Sequence, residues 1–148
     1  MVVQIGLGSG LLLVSILIAA LSAWAMELAF AYGHGWLMRE PHRPKLMLVI
    51  AGVSLWVLGI ITAGVWLWAF AFRGLGVFGT FEEAMYFSLV TYTTLGFGDV
   101  LLPQEWRLLA GMAAANGLLN FGLLTALLVE ALRHVRLGQA DVRRKRGG

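Results

Sequence analysis

The sequence predicts an all-α membrane protein of three transmembrane helices and one short re-entrant segment. Three observations carry that prediction. Of the 148 residues, 59% are hydrophobic and only 13% charged, and the mean hydropathy is +0.82. A single water-soluble core of this size cannot hide so much apolar surface, so lipid is the expected solvent. Next, three runs at residues 5–32, 46–72 and 108–129 are almost free of charge, each at or beyond the roughly 20 residues that a spanning helix needs. Finally, the stretch between the second and third runs is too short to cross a bilayer, yet it is apolar and closes on alternating glycines.

Residues 1–32 are expected to form an N-terminal transmembrane helix, with Glu27 its first charged residue. Ala23-Trp24-Ala25 has the small-x-small look of a cleavage site. The segment before it lacks a positive charge, however, and the apolar run is too long for a signal peptide. Arginines at every third position are absent, which argues against a voltage sensor. Residues 33–45 form a polar linker with Arg39, Arg43, Lys45, His34 and His42, and its Pro41 and Pro44 are expected to stop helix continuation. The histidines suit interfacial polar residues better than pH sensors. Residues 46–72 are a second span about 40 Å long at the helical rise, and Trp66 and Trp68 near its far end fit an interfacial aromatic belt.

After a glycine-rich turn comes a helix-start signal. Gly74 to Gly79 matches G-x-G-x-x-G, but a dinucleotide site needs a strand before it rather than an apolar helix. Thr80 and Glu83 make a capping box, with Glu82 adding favourable charge in the first turn. The helix at residues 80–93 is too short to span, so it must dip in and return, which is tolerated only under cover of protein or water. Its carboxyl end carries about half a negative charge, directed at the membrane midplane.

Thr91-Tyr92-Thr93-Thr94-Leu95-Gly96-Phe97-Gly98-Asp99 follows. For successive carbonyls to point the same way, the backbone must alternate between right- and left-handed conformations. Left-handed φ costs an ordinary residue about 1–2 kcal/mol, and glycine escapes that cost. Gly96 and Gly98 are spaced to allow the alternation. One such strand cannot surround an ion; four about an axis would form stacked oxygen cages.

At these residues the sequence resembles the potassium-channel pore-domain family, whose filter is written T-V-G-Y-G. Thr94-Leu95-Gly96-Phe97-Gly98 followed by Asp99 fits it, with Leu for Val and Phe for Tyr; Thr91 and Thr93 fit the preceding pattern. The resemblance covers residues 46–132 and implies an outer helix at 46–72, a pore helix at 80–93, a filter at 94–99 and an inner helix at 106–132, assembled as a homotetramer. It implies K+ as the permeant ion at Thr94, Leu95, Gly96 and Phe97, with no cofactor. Gly117 falls where many family members carry a hinge glycine. Gly117, Phe121 and Thr125 share a stripe expected to line a cavity, and the amides Asn116 and Asn120 are not expected to face lipid. Two departures stand out: Val90 replaces the buried Glu of some bacterial pores, and Tyr86 and Phe87 replace a tryptophan pair. Asp99 then lacks its usual partner unless Tyr86 supplies one.

Charge sets the orientation. The linker and the basic tail at 133–148 hold nine of the eleven Lys and Arg residues, leaving Arg73 and Arg107 between the second and third spans. The positive-inside rule places linker and tail in the cytoplasm and the N-terminus outside, in a plasma membrane of the bacterial inner type. Glu82, Glu83, Asp99 and Glu105 give the outer mouth a net negative field that favours cations. Glu130 is expected to pair with Arg133 or His134. A pI near 9.8 reflects this sorting by membrane side rather than nucleic-acid binding, and the tail suits anionic lipid head groups. Three scattered histidines and no cysteine offer no catalytic constellation. A weakly selective cation channel and a non-conducting subunit are the alternatives.

Overall fold

A computed structural model describes residues 1–37 and 42–147. It is 86% helical, with α1 at Val2–Leu37, α2 at His42–Gly74, α3 at Phe81–Tyr92, a single 3₁₀ turn at Gln104–Trp106, and α4 at Arg107–Gly147. No β-sheet occurs among the described residues. Three segments, Val2–Gly33, Pro44–Gly74 and Gln104–Arg133, are long and apolar enough to cross a membrane.

The helices reach further into the polar linker than expected. α1 continues through Gly33 to Leu37, and α2 starts at His42 with Pro44 in its first turn. Proline is tolerated there because its missing N–H would have had no intrahelical partner. Pro41 and Arg39 lie outside the described residues. α2 ends where Gly76 adopts φ +69. The Val77 amide donates to the Phe72 carbonyl and the Gly76 amide to the Arg73 carbonyl, which is the paired-bond Schellman closure that a left-handed glycine permits. The glycines of the G-x-G-x-x-G match thus terminate a helix. α3 then opens on Thr80, whose Oγ1 accepts from the Glu83 amide at 3.2 Å.

Cross-contacts fix the helix directions. Gln4 donates to the Glu105 carbonyl, Gly8 faces the Met112 side chain, and Ser15 meets Asn120 at 2.8 Å. Met26 packs in one cluster with Ala131. Partner numbers rise together, so α1 and α4 run parallel. α2 is antiparallel to α1, since Trp56 donates to Ser22 at 2.7 Å while the earlier Val53 packs with the later Met26, and it is therefore antiparallel to α4 as well.

α3 tucks into one end of this bundle. Phe72 of α2 meets Phe78 and Phe87 edge-on at centroid distances of 6.1 and 5.3 Å. The buried cluster around them includes Trp68, Ala84, Tyr92, Leu109 and Ala113. Trp68 is fully buried there, so it is a packing residue rather than part of an interfacial belt. Trp66 keeps substantial exposure and stacks on Phe70 and Phe81. The ring at position 68 finds an aromatic neighbour in α2 itself, Phe72, at 5.7 Å, which a count of terminal tryptophans does not reveal.

Candidate functional site

The last turn of α3 and the six residues after it form the candidate site. Tyr92 lies level with Gly64 of α2 and Gly117 of α4, each ten residues from the helix end nearest the connecting loops. That is a depth of about 15 Å at the helical rise, near half the roughly 30 Å of a bilayer's hydrocarbon. The re-entrant segment therefore reaches the middle of the bundle.

Beyond Tyr92 the backbone reverses by a set of bonds onto α3. The Thr94 amide donates to the Thr91 carbonyl at 3.0 Å, and the Leu95 and Gly96 amides both donate to the Val90 carbonyl, at 3.0 and 3.3 Å. In a trans peptide the C=O points opposite to the N–H of the next residue. The carbonyls of Thr94 and Leu95 consequently both point away from α3. Positive φ occurs at Thr94 (61), Gly96 (56) and Gly98 (77), and Leu95 and Phe97 between them do not share it. This is the alternation that aligned carbonyls require. The glycine positions were legible beforehand. Thr94 was not, because a β-branched residue rarely tolerates this region. The Thr93 hydroxyl donates to the Leu89 carbonyl at 2.7 Å and ties the reversal down.

Asp99 closes the other end. The Tyr86 hydroxyl donates to its Oδ2 at 2.5 Å, so Tyr86 supplies the partner that the missing tryptophans would have left absent. That bond holds the Asp99 carboxyl below the usual carboxylate range against a smaller opposing effect of desolvation. The same bond, with desolvation and the carboxylate's charge behind it, raises the Tyr86 phenol. A cavity of about 140 Å³ lies behind the strand, lined in part by Tyr86, Val90, Thr91, Gly96 and Asp99. Leu95 and Phe97 are exposed.

The expected stripe on α4 is divided. Gly117 is buried, and a Cβ there would lie 2.6 Å from the Tyr92 carbonyl carbon. The absence of a side chain lets α3 touch α4, and α4 runs through this point as one helix. Phe121 is half-buried against Tyr92, with ring centroids 6.4 Å apart. Thr125 is exposed, its hydroxyl on the Phe121 carbonyl at 2.7 Å. Glu83 stands exposed at the start of α3. Glu130 pairs with Arg133 at 3.7 Å; the side chain of His134 lies outside the described ones.

Tyr92, Ser15 and Asn120 were missed as site residues. The signal available was the Asn116/Asn120 pair, one helical turn apart within an apolar run.

A family model described as ion channel matches residues 55–134, more than half of the chain. No curated protein and no solved structure matches. The match begins inside α2 and takes in the turn, α3, the Thr94–Asp99 strand and the membrane-spanning part of α4. This multi-pass membrane protein belongs to the ion-channel family, as a pore domain of the two-span potassium-channel type that carries an additional N-terminal apolar helix.

Proposed function

We propose that the protein is a potassium-selective channel, a homotetramer that conducts K+ passively down its gradient. The observation that carries this reading is the shared acceptor at Val90. Two successive amides turn inward to one carbonyl, and the carbonyls of Thr94 and Leu95 are left facing outward together. Four such strands about an axis would present rings of oxygen from Thr94, Leu95, Gly96 and Phe97, standing in for the hydration shell of K+. The α3 carboxyl end adds its partial negative charge at the midplane, where a cation is most costly. The 133–148 tail and the 33–45 linker face the cytoplasm of a bacterial-type inner membrane, where the tail's basic residues meet anionic lipid. The N-terminus and Asp99 lie outside. The ion is cargo, no cofactor takes part, and the protein is not an enzyme.

The test is electrical. Purified protein in planar bilayers or liposomes, with K+ on one side and Na+ on the other, is expected to reverse near the K+ equilibrium potential. A reversal near zero indicates a weakly selective cation channel, and silence at all voltages indicates a non-conducting subunit.

A further inference from the structure

Tyr92, the last residue of α3, meets each of the other three helices. Its ring lies against the bare backbone of Gly64, and its own backbone lies against that of Gly117. A Cβ at Gly64 of α2 would sit 2.6 Å from the tyrosine Cζ, and one at Gly117 of α4 would sit 2.6 Å from the tyrosine carbonyl carbon. The ring is 1% exposed, and its hydroxyl lies beside Ser15 of α1 and Asn120 of α4. There Asn120 Nδ2 donates to Ser15 Oγ at 2.8 Å and to Asn116 Oδ1 at 2.8 Å. Both hydrogens of that amide are thereby used. Asn120 Oδ1 and the Tyr92 hydroxyl are each fully enclosed and without a bond of ordinary geometry. A buried polar group in apolar surroundings is costly until it is paired, and Ser15 and Asn120 are the polar side chains beside the Tyr92 hydroxyl.

We infer that Ser15, Asn120 and Tyr92 are positioning residues for ion selection, which makes the additional first helix a working part of the filter's support. This rests on the channel reading above. Tyr92 cannot shift toward α2 or α4 without collision, because both glycines are already in contact with it. The remaining side is α1, and Ser15 closes it. The strand that follows hangs from the last turn of α3 through the carbonyls of Leu89, Val90 and Thr91. Any rocking of that turn tilts the Thr94 and Leu95 carbonyls, and selectivity depends on their direction. α1 thus acts on the ion through Tyr92 without touching it.

The experiment uses full-length protein in liposomes and compares the K+ over Na+ permeability ratio with tetramer retention for Ser15→Ala, Tyr92→Phe and the double variant. Each single change deletes one hydroxyl of this group, Ser15→Ala the acceptor of the Asn120 amide and Tyr92→Phe the hydroxyl packed beside it, and is expected to lower the ratio about fivefold. The double variant is expected to fall no further than the worse single, because the groups act as one unit. Ser15→Thr keeps the hydroxyl and is expected to restore the ratio. Ser9→Ala, on an exposed face of α1, is expected to change nothing. Assembled tetramers with wild-type ratios overturn the inference. A wild-type protein without selective current instead overturns the channel reading. The tie from α1 to the strand is then read by amide hydrogen exchange at residues 93–98, expected to be faster in Ser15→Ala; unchanged exchange sinks it.

Discussion

Gly96 has φ +56 and open space where a side chain would go. Gly96→Ala therefore meets no neighbour within the chain, and its penalty is purely conformational, about 1–2 kcal/mol per copy. Thr94 already bears such strain at φ 61, so the strand has little tolerance for a second misfit residue. Potassium flux into vesicles is expected to be lost in Gly96→Ala, and unchanged selective flux contradicts the proposed role. The Tyr86–Asp99 bond sets a pH window at the same scale. Asp99 is held below its ordinary value of 3.8. Its contribution is complete above that value and lost as pH falls through the depressed folded one. Tyr86 is held above 10.0, so its contribution persists up to that value and is lost only beyond the raised one. Tyr86→Phe is expected to move the acid-side loss of flux to higher pH, measured by titrating the Asp99 face. An unshifted acid limb rules the bond out as a support.

Among the helices, glycine has two different meanings that sequence alone does not separate. Gly64 and Gly117 are contact glycines pressed on Tyr92, whereas Gly59 has nothing within 4 Å of a Cβ position. Gly64→Ala and Gly117→Ala are expected to destabilise by about 1–3 kcal/mol, as overpacking does. Gly59→Ala is expected to be neutral or to stabilise by about 0.5–1 kcal/mol through helix propensity. Thermal unfolding in detergent distinguishes them, and a hinge role for Gly117 predicts altered gating with normal stability instead. The element boundaries were largely legible: the Thr80 cap, the glycine stop after α2 and the three spans follow from local chemistry. The placement of α1 was not. Helices in lipid are apolar on every face and pack through small residues and polar pairs rather than by burying an oily stripe. Gly8, Ser15 and Ser22 do recur at a spacing of seven, but small residues such as Gly6, Ser9, Gly10 and Ala20 on the other faces hide that stripe. Trp68 was misjudged for a related reason, since a tryptophan near a helix end suits a belt and a core equally well until its neighbours are known.

At the scale of the whole molecule, a single chain leaves its filter segment exposed. Its strand presents aligned carbonyls with Leu95 and Phe97 at 61% and 68% exposure, at a depth where an unsatisfied carbonyl costs several kcal/mol in hydrocarbon. Among the described residues Leu95 and Phe97 stay exposed, because α3 is already committed to α2 and α4 through the cluster around Phe72, Phe78 and Phe87. Symmetric closure about the strand answers this, since it places oxygen rings around water and ions rather than lipid. Native mass spectrometry from mild detergent is accordingly expected to give about four times the 16.1 kDa chain, by the same fourfold logic. On the proposed reading K+ is a ligand of the assembled filter, so exchange of K+ for Na+ is expected to lower the tetramer's melting temperature through mass action. Gly96→Ala, with its ring sites distorted, is expected to lose that K+ dependence even where four chains remain together. A monomer under these conditions, or a tetramer indifferent to which alkali cation is present, leaves the outward carbonyls without a purpose and removes the basis for selective conduction.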